Sequence, residues 1–106
     1  MKLSILITLL NEELVLSQTH KAISEKLDSM LISEELSDYE ILYIDDGSRD
    51  KTLELIDTIA KENHRVKYIS FSRNFGRESG ILAGFKYATG DAVMVMDGDL
   101  QHPPYL

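Results

Sequence analysis

The chain has 106 residues, 43% of them hydrophobic, and carries 18 acidic against 11 basic side chains for a net charge of −7. This is the composition of one small globular domain, and it is too apolar for a disordered segment. The acidic balance argues against a nucleic-acid binder, which needs a basic stripe to displace counterions; the absence of cysteine excludes disulfides and thiolate metal sites or nucleophiles.

The first run, Leu3 to Leu10, is nearly continuous Leu and Ile, as in a strand covered on both faces. It is too short and lacks the cleavage site for a signal peptide. No run reaches the roughly 18 apolar residues of a membrane span. The expected setting is therefore the cytoplasm, or the cytoplasmic face of a membrane if segments outside this stretch supply an anchor. Asn11 can cap a first helix reaching about Ser33, with Glu12 and Glu13 in its first turn and Leu14, Val15, Ile23, Leu27, Met30 and Leu31 facing inward.

Tyr39 to Ile44 reads as a second strand, Asp45-Asp46-Gly47-Ser48 as a turn, and Ser48 or Asp50 as the cap of a helix bearing Leu53, Ile56, Ile59 and Ala60. Val66 to Phe71 is a third strand and Ser72 to Gly76 a loop. A helix from Arg77 to about Ala88 follows, with Ile81, Leu82 and Phe85 expected in the core and Gly80, Ala83 and Gly84 allowing close approach to a sheet. The fourth strand spans Asp91 to Met96, and Pro103 and Pro104 prevent regular structure from continuing. The order β-α-β-α-β-α-β is that of an α/β protein with a doubly wound, mainly parallel sheet in a three-layer α/β/α sandwich. Right-handed crossovers place every strand's carboxyl end on one rim, where ligands of such sheets bind.

Polar residues converge on that rim: Asn11 and Glu12 after the first strand, Asp45 and Asp46 after the second, Arg73 after the third, Asp97 and Asp99 after the fourth. A ring of carboxylates repels itself and calls for a cation or for ligand donors. Hard oxygen ligands suit Mg²⁺ or Mn²⁺, ions that bridge proteins to phosphate oxygens. Gly98, between the two aspartates, leaves room for a ligand to approach the backbone. Arg73 and Arg77 flank the start of the third helix and suit a phosphate, although surface pairing, with Glu78 for instance, is an equally simple role. Asp45 serves equally well as a brace for the turn. His20 and His64 read as helix-surface residues, His102 as a turn residue, and Tyr39, Tyr43, Tyr68 and Tyr87 as packing residues.

Asn11-Glu12-Glu13, Ile44-Asp45-Asp46-Gly47-Ser48, Ser72-Arg73-Asn74-Phe75-Gly76 and Asp97-Gly98-Asp99-Leu100-Gln101-His102-Pro103-Pro104, in this order and spacing, resemble glycosyltransferase family 2. The resemblance covers essentially the whole chain. It is strongest to the branch containing dolichol-phosphate mannosyltransferases and undecaprenyl-phosphate glucosyltransferases. It implies a GT-A fold, with residues 1–106 forming a single domain, the nucleotide-sugar-binding half of a catalytic domain whose acceptor half and general-base region lie beyond this stretch. It further implies that Asp46 accepts a hydrogen bond from the donor's base, that Ile44 lines the same pocket and that Glu12 lies near base and ribose. Arg73, Asp97 and Gly98 complete the donor site, and Asp97, Asp99 and Gln101 surround the Mg²⁺ or Mn²⁺ ion. The implied reaction is inverting transfer from a UDP- or GDP-sugar to a polyprenyl phosphate or a cell-envelope glycan. Where the family pattern has proline and tyrosine, this chain has Thr8 and Leu10.

The rival to an enzyme is a glycosyltransferase-like fold serving only for binding or assembly. Receiver domains and haloacid-dehalogenase-like phosphatases fit less well, because both place their acidic motif after the first strand. No phosphate-cradling glycine loop is present. The isolated stretch is expected to be catalytically inactive and to self-associate through the edge of its fourth strand.

Overall fold

A computed structural model of the protein describes residues 1–98. The elements are β1 (Lys2–Leu9), α1 (Leu16–Ile32), β2 (Asp38–Asp45), α2 (Thr52–Glu62), β3 (Val66–Ser70), α3 (Arg77–Tyr87) and β4 (Ala92–Asp97). All strand pairs are parallel, in the order β3-β2-β1-β4. The strand order thus grows outward from β1 in one direction through β2 and β3, then reverses to place β4 on the other side. That reversal, between β1 and β4, opens a crevice at the carboxyl rim.

Alternation along β1 divides the core in two. Leu3, Ile5, Ile7 and Leu9 pack with Tyr39, Ile41 and Tyr43 of β2 against Leu16, Ile23 and Leu27 of α1 and Ile56 of α2. Leu6 points the other way with Leu42 and Ile44, toward α3. Covering both faces is what made these strands continuous apolar runs. Each fully buried leucine or isoleucine contributes about 1.5–3 kcal/mol.

Two helices depart from the sequence reading. The first begins at Leu16 rather than beside Asn11, and its inward stripe is Leu16, Thr19, Ile23 and Leu27. Residues 13–15 form a turn, Leu14 is 90% exposed, and Glu12 and Glu13 precede the helix. Asn11 adopts a left-handed φ of 54° and caps nothing on α1. Instead its Oδ1 accepts the Arg49 amide (2.8 Å) and its own amide donates to Ser48 Oγ (2.9 Å), pinning the end of β1 to the β2–α2 turn. His20 also differs from a simple surface residue: its Nδ1 lies 2.7 Å from the buried Tyr43 hydroxyl, which ties α1 to β2.

α3 is the second departure. Its buried residues are Gly80 and Gly84, whereas Leu82 is 71% and Phe85 50% exposed. The helix lies on Ile44 and Leu6 through its glycines. A Cβ on Gly84 would come within 2.8 Å of the terminal carbons of both. Close approach by the small-residue stripe therefore turns the bulky side chains outward. Among the described residues β4 pairs with β1 alone, and its Met94 is half exposed.

Candidate functional site

The crevice at the β1–β4 reversal is a cleft of about 360 Å³ lined by Thr8, Glu12, Asp46, Gly76, Arg77, Asp97 and Gly98, together with Leu9, Leu10 and Asn74. Four of the expected donor-site residues, Glu12, Asp46, Asp97 and Gly98, thus meet in one place. Parallel strands explain the convergence, since each delivers its last residues to the same rim.

Asp46 is nearly buried, and its carboxylate accepts two backbone amides of the β3–α3 loop, Phe75 N at 2.8 Å and Gly76 N at 3.1 Å. Its own amide donates to Leu9 O at 2.9 Å. Asp46 therefore fixes the loop that starts α3, as well as facing the cleft. Gly47 makes this docking possible. Its φ is +79°, and a Cβ there would fall 2.3 Å from the backbone carbon of Arg73. Asp45 is buried and braces the turn, accepting from the Ser48 amide at 3.3 Å. The main chain of Glu12 is held by Thr52, whose Oγ1 accepts the Glu12 amide at 2.8 Å.

Asp97 ends β4 directly beside Thr8 in the β1–β4 register. Its Oδ1 accepts the Thr8 hydroxyl at 3.1 Å and the Arg77 Nε–H at 2.6 Å. Thr8 was not among the expected site residues. The signal that could have found it is its strand parity: a hydroxyl at the end of an apolar strand, at the position where the family pattern has proline. Gly98 has a second reason to be glycine. A Cβ there would lie 2.1 Å from Leu9 Cδ2, and its amide donates to Thr8 O at 3.0 Å. Packing against β1 thus accounts for the glycine, although the residue still borders the cleft. Asp99 and Gln101 lie outside the described residues.

Two further placements differ from the expected donor pocket. Ile44 lines no part of the cleft; it is fully buried beneath Gly80 and Gly84 of α3, because its parity matches that of Leu6. Arg73 lies in an adjoining depression of about 380 Å³ with Arg49, Ser48, Gly47 and Ser72, which shares Leu10 and Asn74 with the cleft. Its guanidinium rests 4.6 Å from the centre of the Phe75 ring. Arg49 and Arg73 are the charged residues of this depression, and neither makes an ion pair with another described residue. Arg49 was missed because only the fold of the β2–α2 turn brings it beside Arg73.

Among the described residues no three His, Cys, Asp or Glu side chains cluster tightly enough to hold a metal unaided. A closed protein cage is not what Mg²⁺ or Mn²⁺ requires, since one or two carboxylates combined with substrate phosphates suffice. The guanidinium 2.6 Å from Asp97 Oδ1 is already a cation at that oxygen. A divalent ion held by Asp97 therefore suits the chemistry of the site.

A parallel α/β sheet with its polar residues gathered at the strand-order reversal is the class of fold that binds its ligands at that point. Residues 4–106 match Glycosyl transferase family 2, and the chain belongs to that family. It is 48% identical over 104 residues to the putative glycosyltransferase CsbB of Bacillus subtilis (strain 168), covering 98% of this chain and 30% of that protein. It is 40% identical over 105 residues to the prophage bactoprenol glucosyl transferase homolog of Escherichia coli (strain K12), covering 97% of this chain and 32% of the relative. The chain thus spans about a third of the length of these curated relatives.

Among solved structures, the mannosyltransferase PcManGT of Pyrobaculum calidifontis, in complex with GDP-Man and Mn²⁺, aligns with a TM-score of 0.72 at 16% identity, over 92% of this chain and 27% of that one. S. aureus TarS 1–349 in complex with UDP-GlcNAc aligns with a TM-score of 0.62 at 25% identity, over 93% and 27%. The shared architecture is the GT-A, Rossmann-like fold.

Proposed function

We propose that this protein binds a nucleotide sugar across the carboxyl rim of its sheet and belongs to an enzyme that passes the sugar, with inversion, to a polyprenyl phosphate at the cytoplasmic face of a membrane. One observation carries the reading: Glu12, Asp46, Arg77 and Asp97, from four separate loops and strand ends, line one cleft at the β1–β4 reversal. The UDP-GlcNAc complex of TarS and the bactoprenol glucosyl transferase homolog support the donor and acceptor classes respectively. In this reading residues 1–106 form the donor-binding half of the catalytic domain.

The donor's diphosphate would occupy the Asp97 cleft, with Asp97, Asp99 and Gln101 as holders of Mg²⁺ or Mn²⁺. Such an ion, when bound, neutralises the charge that builds on the departing nucleoside diphosphate. Asp46 holds the β3–α3 loop in place and offers its remaining lone pairs to a donor N–H of the base. Arg73, in the adjoining depression, supplies positive charge for the same nucleotide. A polyprenyl phosphate oxygen is already ionised, so the enzyme's main task is positioning it rather than removing a proton.

Calorimetric titration with UDP and GDP, each with and without Mn²⁺, tests the reading. One nucleotide should give binding heat that Mn²⁺ strengthens about tenfold or more. Asp97→Asn should abolish the Mn²⁺-dependent part and leave the fold intact. No heat with either nucleotide would overturn the donor site and leave a module for binding or assembly.

A further inference from the structure

The Arg77–Asp97 pair does not fit the role of a simple surface salt bridge. Arg77 is the first residue of α3, where the helix dipole disfavours a cation. Its side chain is 53% exposed, and among the described residues its guanidinium makes a single hydrogen bond, at 2.6 Å to Asp97 Oδ1. It therefore stands in an electrostatically poor position, and among the described residues one carboxylate holds it. Thr8 donates to the same oxygen, so Asp97 is held in a fixed orientation with or without Arg77.

A divalent ion on a carboxylate oxygen sits about 2.0–2.1 Å away, inside the space the guanidinium now fills. Two cations cannot share Oδ1 in this way. Arg77 lines the same cleft as Thr8, Glu12 and Asp46, so a displaced guanidinium would stay within reach of an anion bound there. Its planar fork matches phosphate oxygens, and the start of α3 adds its own favourable potential for an anion.

We propose that Arg77 is a tethered counter-ion for Asp97: a divalent cation replaces it, and the released guanidinium turns to the donor's diphosphate. Arg77 thereby links the two binding events. It opposes the cation in the empty cleft and favours the nucleotide once the cation is present, so that metal and nucleotide bind cooperatively. This rests on the reading of Asp97 as a cation holder given above.

The test is titration of the protein with Mn²⁺ alone and then with Mn²⁺ at saturating UDP, at constant ionic strength. Wild type, Arg77→Gln, Arg73→Gln and Asp97→Asn are compared. Arg77→Gln should bind Mn²⁺ alone about two- to fivefold more tightly than wild type, the range expected for losing a partly exposed competing pair. UDP should then tighten Mn²⁺ binding by a smaller factor in Arg77→Gln than in wild type. Arg73→Gln removes the same charge from the neighbouring depression, and its affinity for Mn²⁺ alone, in the absence of UDP, should stay close to that of wild type. Equal Mn²⁺ affinity in wild type and Arg77→Gln overturns the proposal, as does an equal gain in Arg73→Gln, which would indicate a general field. Mn²⁺ binding that survives in Asp97→Asn, or that is missing in wild type even with UDP, instead defeats the underlying metal-site reading and the proposal with it.

Discussion

Two carboxylate–cation pairs sit at opposite rims of the same sheet, and they are built for different ends. At the amino rim Glu40 is 2% exposed, and its carboxylate accepts from Ser4 Oγ (2.6 Å), Thr89 N (2.6 Å), Thr89 Oγ1 (3.0 Å) and Lys67 Nζ (3.1 Å). Ser4 Oγ in turn accepts the Gly90 amide at 2.8 Å. This network ties β1, β2, β3 and the α3–β4 turn together with its acceptors filled. At the carboxyl rim Asp97 is about one-third exposed and meets a single arginine that has no other described partner. Burial and saturation make the first pair a clasp. Exposure and a replaceable arginine, beside the fixed Thr8 hydroxyl, make the second a site.

The largest effect that can separate the two is expected at Glu40. Its burial would raise the carboxyl, but the hydrogen bonds from Ser4, Thr89 and Lys67 outweigh that and hold it at about 2, against an ordinary 4.5. The folded value is the lower one. The associated stabilisation is therefore complete above about pH 4.5 and is lost as the pH falls from there through 2. It amounts to something on the order of 3 kcal/mol. Glu40→Ala should cost a similar amount at neutral pH, because it strands the Ser4 hydroxyl and the Thr89 amide. Thermal unfolding of wild type and variant from pH 7 to 3 checks this: the gap should narrow as the pH drops. Asp97→Ala in the same experiment should lose less than about 1 kcal/mol, as befits a partly exposed pair. A reversed order would remove the distinction between clasp and site.

How much of this was visible in the sequence follows from which forces are local. The seven elements and the doubly wound parallel order were legible, because strands buried on both faces leave unbroken apolar runs and helical connections leave room for crossovers. So was the meeting of Glu12, Asp46 and Asp97, since parallel strands bring their carboxyl ends together. The start of α1 was not, because Glu12 and Glu13 are held by Thr52 and Asp50, about 40 residues away. The facing of α3 was missed because two glycines, rather than its large side chains, decide how it lies on Leu6 and Ile44. Ile44 was misplaced for the same reason, being covered by that helix. The Arg77–Asp97 pair spans 20 residues and depends on where α3 begins relative to β4, which only the folded sheet determines.

The smallest effect concerns the other arginine of the carboxyl rim and asks how far the site extends. Arg73 differs from Arg77 in its partner: its guanidinium lies over the Phe75 ring, 4.6 Å from the centre, and among the described residues no carboxylate pairs with it. A cation on an aromatic face keeps its charge available to a ligand, and the ring restrains where the side chain can go. Arg49 lines the same depression and supplies a second positive charge in a chain of net charge −7. Arg73→Ala should therefore weaken nucleotide binding by about two- to fivefold through loss of a single exposed charge contact. Stability should change by less than about 0.5 kcal/mol, since the residue is exposed. The loss should shrink when salt is raised from 50 to 500 mM, which shortens the Debye length about threefold. Calorimetry with UDP at the two salt concentrations measures both. Unchanged affinity at low salt would confine the nucleotide to the Asp97 cleft and leave the Arg49–Arg73 depression outside the site.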